Sequence, residues 1–175
     1  MYKVATWCIY ALPLVPLAVS LSLVVINRRV INQRYKSAKT DRSETRTMAL
    51  SVGALSFGGL VGVAALAGPG SPYVLPAVYF LAISFVMFFV GVALQSYKFT
   101  HLEDVLSDGL QCSGEMGLMV AVGALLLRAS AGGWRGWTLA ALAVGVATFD
   151  SGRRLRLQSR YLRGVRDAQT VEPAR

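Results

Sequence analysis

An all-α fold, an integral membrane bundle of about five transmembrane helices, is what this sequence predicts, and three observations carry the prediction. Only 15% of the 175 residues are charged while 54% are hydrophobic, against about 25% charged in an ordinary soluble domain. The charges are segregated: the 24 residues between Lys3 and Arg28 and the 51 between Arg46 and Lys98 carry none. The 18 basic residues outnumber the 9 acidic ones and gather in two places. A chain this short has too few polar residues to cover several all-apolar helices, so a soluble globule is a poor fit. The composition equally argues against disorder, collagen and coiled coil. Two cysteines are too few for a disulfide framework or a four-thiolate metal centre.

The first uncharged run predicts a span over residues 5–26, since crossing a bilayer core takes roughly 20 apolar residues. It is longer than the apolar core of a signal peptide, and a basic loop follows as a stop. Pro13 and Pro16 each remove a backbone donor and predict a kink. The second run is too long for one straight helix in any membrane. Gly68, Pro69, Gly70, Ser71 and Pro72 mark the turn that divides it into spans at 47–67 and 73–95. Two shorter uncharged runs follow, 116–127 and 136–149. Extended through Glu115, the first predicts a span at 110–127; Trp134 and Trp137, suited to the membrane boundary, open a fifth at 134–149. Runs of 12 and 14 residues also suit a re-entrant hairpin, so three spans plus such a hairpin is the rival. Residues 1–150 thus read as a transmembrane domain and 151–175 as a basic cytoplasmic tail.

Loop one carries Arg28, Arg29, Arg34, Lys36, Lys39, Arg42 and Arg46, and the tail carries Arg153, Arg154, Arg156, Arg160, Arg163, Arg166 and Arg175. With five spans and the N-terminus outside, fifteen basic residues lie inside and three outside, as the positive-inside rule requires. Loop one and the tail need the same side, so an even number of crossings separates them. That rejects a merger of the last two spans into one and keeps the re-entrant rival.

Ala54, Gly58 and Gly62 form a small stripe at i, i+4, i+8 in span two, which lets helix backbones approach in lipid. Span three is bulky, with Tyr79, Phe80, Phe85, Phe88 and Phe89. Glu115 and Asp150 are the two charges at span ends. Glu115 is expected at the positive N-terminal end of span four, and Asp150 within reach of a tail arginine, both as interfacial charges. His101, Asp104 and Asp108 share one helix face, but three such residues on one short segment do not make a metal site, and none is expected. Cys8 and Cys112 fall near opposite membrane faces, so no disulfide joins them. In the tail, Arg153, Arg156, Arg160 and Arg163 form one stripe, with Leu155, Tyr161, Leu162 and Val165 mainly on the other side. That is a basic amphipathic helix suited to anionic lipid, or to an acidic partner. Nucleic acid is not an expected partner.

No catalytic or phosphate-binding motif occurs, and no enzyme activity, cofactor or metal is expected. The sequence reads as a small multi-pass membrane protein, a non-enzymatic accessory or scaffolding subunit. It packs against other membrane helices as a homo- or hetero-oligomer. The alternative is an oligomeric channel or small transporter lined by the kinked first span and the small face of span two. A lipid enzyme working near His101 and Glu115 is a weaker third class.

Overall fold

The structure, a computed structural model, describes residues 10–31, 43–66, 74–96, 100–130 and 133–171. Among them it is all-helical: a 3-10 turn at Leu12–Leu14, α1 (Val15–Ile26), one helical turn at Arg28–Ile31, α2 (Ser43–Leu66), α3 (Val74–Ser96), α4 (His101–Ala129) and α5 (Trp134–Val171). The turn expected at 68–72, Cys8 and most of the basic loop one lie outside the described residues.

Each helix has a local reason to begin or end where it does. Pro13 lies inside the 3-10 turn and Pro16 in the first turn of α1, so the expected disturbance falls at the start of that helix, where a missing N–H costs least. Asn27 ends α1, its side-chain Nδ2 donating to Leu23 O at 2.9 Å. α4 opens with a capping box: Glu103 Oε2 accepts from Thr100 N–H at 2.7 Å and from Thr100 Oγ1 at 3.0 Å. Glu103 and Asp104 in the first turn and Arg128 in the last suit the helix dipole.

α4 is the central element, packed by α1, α3 and α5. Its first exposed residue is its last, Ala129. Glycines on α4 let the neighbours in. A Cβ on Gly109 would meet Ser20 Cβ of α1 at 2.6 Å, and one on Gly117 would meet Ser84 Oγ of α3 at 2.6 Å. One on Gly123 would meet Ala140 Cβ of α5 at 3.2 Å. Phe80 and Leu81 of α3 close over Val120 and Ala121 to make the main core. α2 rests on α3, with Phe57 and Phe85 rings 5.2 Å apart.

Three observations bear on the expected spans. α4 starts at His101, nine residues before the span placed at 110–127, because Glu103, Asp104 and Asp108 belong to the helix and not to a loop before it. α5 is one helix of 38 residues that passes position 150 without a break; Gly152 alone does not stop a helix whose next turns continue to pack. Lastly, two helical segments among the described residues, Val74–Leu94 and His101–Ala129, are long and apolar enough to cross a membrane. The apolar stretches Leu12–Ile26 and Leu50–Val63 are shorter.

Candidate functional site

The polar residues of the bundle meet along the seam between α4 and α5. The two helices run antiparallel, with Met116 beside Thr148 and Gly123 beside Ala140. This brings Glu115 level with Asp150, and Arg154 bridges them. Its Nη1 donates to Glu115 Oε1 at 3.1 Å and its Nε to Asp150 Oδ2 at 2.8 Å. Burial opposes the charge of Arg154, but the Glu115 and Asp150 carboxylates outweigh it and hold the guanidinium pKa above its ordinary value. One turn further, Gln158 Nε2 donates to Asp108 Oδ2 at 3.0 Å. Further still, the His101 and Tyr161 rings meet edge to face at 5.7 Å, and Leu162 is buried against Val105 and Ile31. The first half of the tail therefore continues the α4–α5 pairing.

Other buried polar groups on α4 hold the outer helices. Ser113 Oγ accepts from Leu17 N–H at 3.1 Å, one of the donors that the first turn of α1 leaves without an intrahelical acceptor. Ser107 Oγ donates to Gly91 O of α3 at 3.0 Å. Most of these groups end on protein, while Ser151 Oγ and Gln158 Oε1 of α5 are buried without a hydrogen-bond partner among the described residues, so the seam is largely but not wholly paired. Chemically it can fix helix register and neutralise charge.

The sequence-derived residues fall into four groups. Glu115 and Asp150 come together, though not as expected. Glu115 is mid-helix in α4 and cannot serve the N-terminal dipole, which Glu103 and Asp104 meet instead; it pairs with Arg154. Arg153, Arg156, Arg160 and Arg163 are all exposed along one side of α5. Ala54 and Gly58 are exposed, and a Cβ on Gly58 or Gly62 would touch nothing within 4 Å. Among the described residues the two glycines of that stripe pack against nothing; α2 meets α3 through Gly53 and Gly59 instead, beside Phe88 and Leu81. His101, Asp104 and Asp108 do not converge, and among the described residues no cluster with metal-ligand character forms.

The tail arginine expected within reach of Asp150 is Arg154, four residues on. Its second contact, with Glu115 across the α4–α5 pairing, has no signal in the sequence, because it depends on how the two helices align. Comparison with family models, with curated proteins and with solved structures finds no match for the chain.

Proposed function

We propose that the chain is a multi-pass membrane protein whose role is structural, an accessory or scaffolding subunit that packs against other membrane helices. One observation carries this reading: the polarity is inverted. The central helix holds buried Ser107, Gln111 and Ser113 and the Glu115 partner of Arg154, and the outer helices turn Ser20, Ser56, Ser84 and Ser151 inward, while Val19, Leu55, Val86, Phe89, Leu142 and Phe149 face outward. Exposed apolar surface of that extent has no place in water and suits lipid.

The spacing along α5 supports the same reading. Trp134 and Trp137 are exposed, and so are Leu139, Leu142, Val146 and Phe149 after them. Trp137 and Arg156 are 19 residues apart, about 28 Å at the ~1.5 Å rise of a helix. A bilayer core is roughly 30 Å thick, so the tryptophans meet one boundary as the arginines meet the other. Five crossings, with the N-terminus outside and the C-terminus cytoplasmic, accommodate that placement and the distribution of basic residues. The shorter apolar stretches of α1 and α2 then cross where the bundle is thinnest or where their masking by neighbours relaxes the length requirement.

The charged groups of the α4–α5 seam are taken up by one another, which favours a structural role over transport, because a conducting path needs charged or polar groups left open to solvent or cargo. The outward small stripe of α2 is the face offered to other helices. Purification in mild detergent tests the role. A stable complex with other membrane proteins is the expected result; a symmetric homo-oligomer that passes ions in vesicles would replace it with the channel reading.

A further inference from the structure

A groove separates α1 from α5 along one flank of the bundle. α1 is held tightly to α4 by Ser20 at Gly109 and by the Leu17–Ser113 hydrogen bond, and the space it leaves beside α5 is a cavity of about 380 Å³. Its walls are Leu12 of the 3-10 turn, Pro16, Val19 and Leu23 of α1 and Gly152 and Leu155 of α5. From Leu12 to Leu23 the groove runs about 17 Å along the helix axis, close to the depth of one leaflet, half of a roughly 30 Å core. At its cytoplasmic end it reaches Arg156, which with Thr148 and Gly152 also lines a second cavity of about 390 Å³. Arg153 and Arg160 complete the charged side of that second space. None of the three arginines forms an ion pair with a described residue. Among the described residues three positive charges therefore stand without an ion pair beside the apolar slot, Arg156 on its lining and Arg153 and Arg160 on the adjoining space.

We propose that this flank is a seat for one anionic phospholipid, with an acyl chain in the α1–α5 groove and the phosphate against Arg153, Arg156 and Arg160. Charge complementarity selects the headgroup, and the apolar lining and leaflet-deep length select the chain. Gly152 keeps the two parts connected. A Cβ there would meet nothing within 4 Å, so the absent side chain leaves space and is not demanded by close packing. Because α5 does not turn at position 150, the arginines meet the headgroup layer where the helix passes through it, and the tail has no need to lie flat on the membrane.

The inference rests on the membrane part of the proposal above and not on the accessory role. The test uses the full chain, purified in mild detergent, delipidated, and titrated with phosphatidylglycerol, phosphatidylcholine or glycerol 1-phosphate, with bound lipid counted by native mass spectrometry. The native chain should hold one phosphatidylglycerol in preference to phosphatidylcholine and should not hold glycerol 1-phosphate. Replacing Arg153, Arg156 and Arg160 by Gln should cost on the order of fivefold in affinity per arginine and erase the preference. Gly152→Leu should fill the groove and lose both lipids while folding at least as well, since leucine is the better helix former. Val19→Trp fills the same groove from α1 and keeps the test open if the first variant folds poorly. Unchanged phosphatidylglycerol binding in both filled-groove variants, equal affinity of the native chain for the two lipids, or binding of glycerol 1-phosphate as tight as that of the lipid would overturn the seat. Carbonate extraction of the same cells separates the two levels. A chain that resists extraction but shows no lipid preference loses the lipid seat and keeps the membrane reading; a chain released by carbonate loses both.

Discussion

Arg154 should be the most sensitive charged residue of the bundle, and its partners should respond unequally. Removing Arg154 leaves Glu115 and Asp150 facing each other without a cation. Removing Glu115 leaves Arg154 still bound to Asp150 at 2.8 Å. Side-chain exposure sets the scale: Glu115 is 23% and Arg154 39% exposed, between surface pairs worth about 0.2–1 kcal/mol and fully buried pairs whose breakage costs about 3–5 kcal/mol. Arg154→Met should therefore cost about 2 kcal/mol, and Glu115→Gln less than about 1 kcal/mol. For a chain of this size, about 1 kcal/mol moves the midpoint by roughly 2–4 °C. Arg154→Met should then lower the melting temperature in detergent by roughly 4–8 °C and Glu115→Gln by at most a few degrees. Combined, the two should cost less than Arg154→Met alone, because the second change removes a charge that the first left stranded. Heating in detergent followed by size-exclusion chromatography reads all three. Additive losses, or a larger loss from Glu115→Gln than from Arg154→Met, would refute the bridging role.

Gly117→Leu should destabilise the chain by about 1–3 kcal/mol through overpacking against Ser84 and Phe80. Gly58→Leu should leave the melting temperature unchanged, since its Cβ meets nothing. The same Gly58→Leu should weaken association with other helices in a cross-linking assay, and an unaffected assembly would remove the α2 stripe from the interface. Single cysteines at Ser71 and Gly132, in a chain whose native cysteines are replaced by Ser, should react with an impermeant reagent from outside, and those at Ser37 and Gln169 from inside. External labelling at Gln169 would overturn the five-crossing arrangement, and protection of Gly132 would select the re-entrant one.

α3 was the most legible element. Glycine and proline before it and Lys98 after it bound an uncharged run, and the expected 73–95 lies within a residue of the observed Val74–Ser96. α4 and α5 were less legible because the gaps between charges were read as the limits of the helices. A helix has no such limit when its charges find partners. Thr100 and Glu103 at a spacing of three were the missed start signal of α4. Glu115, Asp108 and Arg154 stay inside helices by pairing across the seam. The glycines show a different obstacle. Ala54, Gly58 and Gly62 have the spacing of a packing face, and so do other small residues of α4, but spacing does not reveal which face turns inward. Gly109 and Gly117 are the ones pressed against Ser20 and Ser84.

On the proposed membrane reading, the length of the α4–α5 pair constrains how the chain sits in the bilayer. α4 has 29 residues and α5 has 38, about 43 Å and 57 Å of helix, both longer than a roughly 30 Å core. The excess is not shared between the two ends. At the Trp134 end the helices join through a short connection in which Gly133 N–H donates to Ser130 O at 2.9 Å. A side chain on Gly136 would collide with Ser130, so that end closes tightly. At the other end the pairing continues through Asp108–Gln158 and His101–Tyr161 to Leu162, which is 1% exposed. A tail that obeyed only the distribution of charge across the membrane would have no reason to bury a leucine there or to match polar partners turn by turn. Those contacts make residues 151–162 an extension of the bundle, with Ile31 at the end of the helical turn after α1 packed on the same spot. This end of the bundle is then a built platform. Cutting the chain after Asp150 should release α1 and the start of α4 as well as the tail, and limited proteolysis of that truncated chain should open Arg28 to cleavage. Continued protection of Arg28 in the truncated chain would show that the platform does not depend on the tail.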